Sequence, residues 1–307
     1  MEVFMKFNGY SKQILGLFLA LGALSCLALY NAVSFKNEPK LAIFDPKAEA
    51  NPKQIVQEIA ALGSDVAQTL QKQLIEEQNA NRKALQDAFP LPNNQWEDLA
   101  LEFADFKAKD DLFTSKPAKN KPEEGKHKLV AKIEELLISY GMNPDRVVIN
   151  CSQEPTSFIC TNQSVSGDLK IRHYFEVNLS KLEKFPADIQ ETLIRHELMH
   201  LFNYDSLDLA LIQALFTKNN ILPEDYCNHP AYAAFNRHQE YRADLMAAGN
   251  DIARAQTFMK DFQRYMDAFP DDQENPTHVT HPTEKQRHAA MSQLASYLTI
   301  EKEIASA

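Results

Sequence analysis

The stretch of this chain best suited to do chemistry is His196-Glu197-Leu198-Met199-His200, inside the run FPADIQETLIRHELMHLFNYD. On a helix, histidines four residues apart share a face and sit one turn apart, roughly 6 Å along the axis. Both imidazoles can then reach one zinc ion, while the glutamate beside the first can hold and deprotonate a water there. So short a pattern arises by chance on exposed helices, and a buried histidine is more often a core residue than a ligand. The context separates these readings. Pro186 suits a first helical turn, and Ile189 and Leu193 share the face of His196 and His200. Ile194, Leu198 and Leu201 form a second apolar stripe, so the helix should be buried on more than one side. Two histidines with an intervening acid on such a helix are expected to bind zinc.

A catalytic zinc takes three protein ligands and leaves its fourth position open. The best third ligand is Glu240, in the segment RHQEYRAD, where Tyr232, Phe235 and Met246 keep helical apolar spacing. Asp244, one turn on, offers a carboxylate that can hydrogen-bond a ligand histidine and fix its tautomer. Taken alone, such a pair usually decorates a solvated face. Glu197 would be the general base and then the proton donor to the leaving amine. A tetrahedral intermediate also needs donors for its oxyanion, and THPTEKQR offers His281 and Arg287. Thr283 with Gln286 makes a capping box, so a helix should begin there with His281 just before it. By itself that segment reads as a Pro-containing turn entering a surface helix.

Together the three pieces carry a resemblance. H-E-x-x-H from His196, E-x-x-A-D from Glu240, then T-H-P with Arg287 six positions after His281 resembles the HtpX-like and Ste-type zinc peptidases, peptidase family M-48. The resemblance spans about residues 128 to 300 and is closest in layout to the exported BepA-like and Oma-like branches. It implies a mostly helical α+β gluzincin (zincin) fold, with an active-site helix, a small sheet whose edge strand aligns substrate, and a following glutamate helix. It implies one Zn2+ per chain on His196, His200 and Glu240, with Glu197 as base and Asp244 orienting a ligand. His281 matches the family's histidine near the metal, as an oxyanion donor or as an occupant of the open position at rest. Arg287 matches the family's arginine. The implied substrates are polypeptides, in envelope or membrane protein quality control. The alternative is a zinc-bearing chaperone or binding protein whose protease activity is latent or lost.

Residues 1–35 hold a charge-free apolar run, Ile14 to Val33, preceded by Lys6 and Lys12. Twenty such residues can cross a bilayer, so a signal anchor or a cleaved signal peptide is expected, and with it an exported or membrane-anchored protein. The several spans of integral family members are not seen. Cys151 and Cys160 flank a polar loop and could form a disulfide or remain two free thiols. A net charge of −10 and the lack of a basic stripe argue against nucleic acid.

The elements that must position these residues follow from periodicity. Ile55, Ile59, Leu62, Val66, Leu70 and Leu74 predict a helix over 51–89 that could be a stalk or a coiled-coil contact, with packing on its own domain the more ordinary expectation. A second helix is expected from Trp96 to Lys109 with Leu99, Phe103 and Phe106 inward, completing a helical accessory region over 40–113. The polar stretch 114–126 reads as a linker, and 127–307 as the metallopeptidase domain. That domain should open with a helix from Leu129 to Tyr140 stopped at Gly141, then a strand near Arg146–Ile149. Leu169 to Leu179 is the expected substrate-aligning edge strand, and Ile252 to Phe269 another helix. A loop over 270–282 could cover the cleft. His127, His173, His229, His238, His278 and His288 could all be surface residues and none is assigned as a ligand, although a loop could bring His278 back to the cleft.

Overall fold

The computed structural model describes residues 66–113, 127–151, 159–222, 225–226, 229–268 and 281–306. The apolar run 14–33, the front of the 51–89 helix, the linker, Cys227, His278 and most of the cleft loop lie outside them. Among the described residues the chain is mostly helical with one small sheet, an α+β arrangement. No described helix is long and apolar enough to cross a membrane.

Helix α1 (Val66–Ala88) buries Val66, Leu70, Leu74, Gln78 and Leu85, one side of the cylinder. Helix α2 (Gln95–Lys109) carries Glu97 and Asp98 in its first turn and Lys107 and Lys109 in its last, which suits the helix dipole. It departs from the expected inward packing: none of its residues is fully buried, and Leu99, Phe103 and Phe106 are only half-covered. Its position on the surface is held instead by Lys107, whose Nζ lies 2.6 Å from Asp208 Oδ1. Helix α3 (Lys128–Ser139) is capped by His127, whose Nδ1 accepts from the Leu129 amide at 3.2 Å. It ends where Gly141 takes φ +75°, a left-handed turn that favours glycine.

A short 3-10 turn (Pro144–Arg146) leads into strand β1 (Val147–Cys151), followed by β2 (Ile159–Val165) and β3 (Ile171–Val177). Their order is β1-β3-β2, with β1 parallel and β2 antiparallel to β3. This corrects the sequence expectation for the edge strand. Residues 171–177 of the 169–179 segment form the central strand, while β2, absent from the sequence reading, holds the edge. The reason lies in the residues. Ile171, His173, Phe175 and Val177 alternate cleanly inward, as a central strand demands, whereas ICTNQSV is too polar to announce a strand. With β3 between them, Cys151 and Cys160 are two strand spacings apart, about 9–10 Å, too far for a disulfide. Neither is in a disulfide.

After the single turn α4 (Leu179–Leu182), the long helix α5 (Ala187–Asn203) crosses behind the sheet, with Pro186 as its N-cap residue. Two inward side chains of β2 reach its carbonyls: Thr161 Oγ1 donates to Glu197 O at 3.2 Å and Gln163 Nε2 to Leu201 O at 3.0 Å. Two strand residues rise about 6.7 Å and four helix residues about 6 Å, so the two elements stay in register. Helices α6 (Asp205–Lys218), α7 (Pro230–Ala248), α8 (Ile252–Ala268) and α9 (Glu284–Ser306) complete the described fold. One apolar core joins Ile194 and Leu198 of α5 to Leu70 and Leu74 of α1, Ile133 of α3, Phe175 of β3, Phe258 of α8 and Leu294 of α9. Burying each such leucine contributes about 1.5–3 kcal/mol. Helix α1 therefore shares the core of the helix that carries H-E-x-x-H.

His173, read from sequence as a surface residue, is 1% exposed. Both of its ring nitrogens are engaged: Nδ1 lies 3.1 Å from Gln163 Nε2 and Nε2 lies 3.0 Å from Asp110 Oδ2. The Tyr204 hydroxyl donates to the same Asp110 oxygen at 2.6 Å. Burial opposes ionisation of Asp110, but the hydrogen bonds from His173 and Tyr204 outweigh it and hold the carboxyl below its ordinary value. A depressed folded pKa contributes stability that is present above the unfolded value and lost as pH falls through the folded one. Asp110→Asn should therefore destabilise the protein by about 1.5–3 kcal/mol at neutral pH. The difference should shrink below about pH 4, as urea unfolding at several pH values would show.

Candidate metal centre and active site

His196 and His200 project from one face of α5, and α7 packs beside it to bring Glu240 to both. The two Nε2 atoms are 3.1 Å apart with the rings nearly perpendicular, at 87°. Glu240 Oε2 lies 3.4 Å from His196 Nε2, and Oε1 lies 3.8 Å from His200 Nε2. The three donor atoms all fall within 4.8 Å of one another, so this buried group can hold a metal ion. Tetrahedral bonds of about 2.0–2.1 Å set ligand atoms roughly 3.4 Å apart, close to the spacing here.

The outer nitrogens decide what the inner ones offer. His196 Nδ1 is 2.8 Å from Asp244 Oδ1, and His200 Nδ1 is 2.7 Å from Asp205 Oδ2. A carboxylate accepts, so both Nδ1 atoms are assigned as N–H donors and both Nε2 atoms carry lone pairs turned toward Glu240 and each other. At 3.1 Å the two Nε2 atoms are held together by a shared proton or by a metal ion, not by lone pairs alone. The donor set thus fits a metal ion such as zinc, with two neutral imidazoles and a carboxylate.

The electrostatics agree. Burial disfavours a charged His196, yet the Asp244 carboxylate more than offsets it and its pKa is pushed up to about 10. His200 is also raised, against its burial, by Glu240 and Asp205. Glu240 is held well below the carboxylate range, against its own burial, by His200, His196 and Arg287. A pocket that draws protons onto its imidazoles is one that favours positive charge between them.

Each orienting aspartate is itself held by an arginine. Asp244 is fully buried and accepts from Arg287 at both oxygens, from Nε at 2.8 Å and Nη2 at 2.6 Å. The Arg287 guanidinium also stacks 4.6 Å over the Phe262 ring. Asp205 makes a close ion pair with Arg242. Of the two oxyanion donors considered from sequence, Arg287 is therefore committed to Asp244. His281 remains 60% exposed, with Nε2 3.5 Å from Glu240 Oε1. The capping box forms as expected: the Thr283 amide donates to Gln286 Oε1 at 2.9 Å, and the Gln286 amide to Thr283 Oγ1 at 3.3 Å.

Comparison with protein-family models, curated proteins and solved structures finds no match.

The imidazoles open into a cleft of about 500 Å³ between the β2 edge at Ile159–Thr161 and the α8 side chains Phe258 and Phe262. Glu197 lines it from the same helix as the histidines, half-buried, its Oε2 3.2 Å from Thr161 Oγ1, whose one proton is shared between the backbone and carboxylate oxygens of Glu197. The sequence thus placed His196, His200, Glu240, Asp244 and Arg287 in one cluster, with Glu197 and His281 along its cleft. Three contributors escaped it. Thr161 lies on the strand that was not foreseen. Arg242 sits between two residues that were singled out. Asp205, five residues past His200, could not share its face on an unbroken helix. It does so because Tyr204 takes φ +58° and ends α5, turning Asp205 back toward the imidazole.

Asp205→Asn and Asp244→Asn should each weaken metal binding about 10- to 100-fold, because each loosens one imidazole. Competition against a chromophoric chelator measures this directly, and an unchanged affinity in either variant would remove that aspartate from the site.

Proposed function

We propose that this protein is a zinc-dependent endopeptidase of gluzincin type, akin to the HtpX-like and Ste-type peptidases, acting on polypeptide substrates. One observation carries the reading: Glu197 faces the open cleft from the helix whose two histidines meet Glu240. A zinc site serving only structure would have no use for a half-buried carboxylate beside it on the cleft wall.

Zinc, when bound, supplies a Lewis acid that polarises the scissile carbonyl and brings the pKa of water to about 7. The residues do the rest. His196, His200 and Glu240 hold the ion, and Asp244 and Asp205 keep both rings in the tautomer that can do so. Thr161 fixes the Glu197 carboxylate, which takes the proton from the attacking water and returns it to the leaving nitrogen. His281, exposed at the cleft mouth, donates to the developing oxyanion. Among the described residues strand β2 has β3 on one side only, and its other edge would offer backbone groups to an extended substrate. Residues 14–33 would anchor the protein in a membrane or export it, placing its substrates in an envelope or membrane compartment.

Glu197→Gln should keep one zinc per chain and lower cleavage of an unfolded protein such as casein by at least about a hundredfold. Equal cleavage by both proteins would sink the assignment. His281→Ala should retain zinc and lower cleavage about a hundredfold. A rise instead would mean that His281 blocks the site, and would favour the chaperone or binding reading with a latent protease.

A further inference from the structure

The two carboxylates that orient the imidazoles are supported differently. Asp244 takes two hydrogen bonds from Arg287, and Phe262 stacks beneath that guanidinium, so the arm from α9 is complete in itself. The Asp205 arm is not. Arg242 touches Asp205 through Nη2 and reaches Gln78 Oε1 of α1 through Nη1 at 2.8 Å. Among the described residues its Nε has no hydrogen-bond partner, and neither does Gln78 Nε2. The guanidinium is thus pinned at two points, one of them supplied by a helix far upstream of the metal ligands.

All members of this chain are out of solvent: Gln78 is 3% exposed, Asp205 4% and Arg242 6%. A second contact, from Gln239 Nε2 to the Asp205 carbonyl at 3.1 Å, fixes the Asp205 backbone and leaves its carboxylate to Arg242 and His200. Gln78 also stands out in its own helix. It continues the buried stripe Val66, Leu70 and Leu74, where another apolar side chain would pack at no cost in desolvation. A polar residue buried there has to be explained by what it binds.

We infer that Gln78 is a positioning residue for the metal centre, acting through Arg242 and Asp205 to set the ring of His200. Without its carbonyl oxygen, Arg242 pivots on its single remaining contact and draws Asp205 away from His200 Nδ1. The imidazole then loses the partner that fixes its direction. On this account the 66–88 helix is part of the metal site and not an accessory to it. The inference rests on the metal reading of His196, His200 and Glu240, though not on peptidase activity.

The test uses the full chain loaded with cobalt(II) or zinc. Gln78→Met removes the acceptor at nearly constant volume, and Gln78→Glu keeps one for Arg242. The methionine variant should bind metal on the order of tenfold more weakly and show an altered cobalt visible spectrum. The glutamate variant should restore both. Arg242→Lys, which keeps the charge but loses the two-pronged contact, should behave like the methionine variant. Should Gln78→Met bind cobalt with wild-type affinity and spectrum while only the metal-free melting temperature falls, Gln78 is a packing residue and the inference fails. If the wild-type protein binds neither metal, the metal reading fails first and takes this inference with it.

Discussion

Two imidazole nitrogens 3.1 Å apart, each backed by a carboxylate on the opposite side of its ring, impose the central constraint on this molecule. Asp244 and Asp205 fix both rings as Nδ1–H tautomers, so the inner lone pairs converge on one point beside Glu240. At that spacing a proton or a metal ion must lie between the nitrogens. Placing such a centre inside the protein demands that every surrounding charge be paired, because an unpaired buried charge costs several kcal/mol. The two buried Asp–Arg pairs answer that demand, one through Arg287 of α9 and one through Arg242 of α7.

Much of the fold can be understood as what is needed to hold this geometry still. The 187–203 helix must be buried for its histidines to be dry, and the apolar stripe of Ile194, Leu198 and Leu201 buries it. It must also stop at a defined residue. The left-handed Tyr204 ends it, and the Tyr204 hydroxyl is tied to Asp110, which in turn holds His173. That polar knot in the core is therefore connected to the metal centre through one backbone turn. Sheet and helix are registered by Thr161 and Gln163, and the same Thr161 steadies the carboxylate proposed to move the proton.

The sequence made most of the inner site legible, because spacing on a helix is a direct statement about space. His196, Glu197 and His200 lie within five residues, and Glu240 and Asp244 repeat the one-turn spacing. Arg287 was marked only by the resemblance, since its own segment reads as a turn entering a surface helix, and its engagement with Asp244 rather than the cleft was not legible. What stayed hidden depends on breaks and long-range contacts. Asp205 orients His200 only because the helix ends at Tyr204. Gln78 meets Arg242 across 164 positions, and nothing but its polarity in an apolar stripe marks it. The edge strand was missed because ICTNQSV gains its order from α5 and β3 rather than from its own apolar pattern.

X-ray absorption at the zinc edge, on the full-length protein purified without added chelator, probes the centre most directly. The account predicts one zinc per chain with only nitrogen and oxygen neighbours at about 2.0–2.1 Å, two of them showing imidazole outer-shell scattering. A sulfur neighbour at about 2.3 Å, or a protein that retains no zinc, would contradict it.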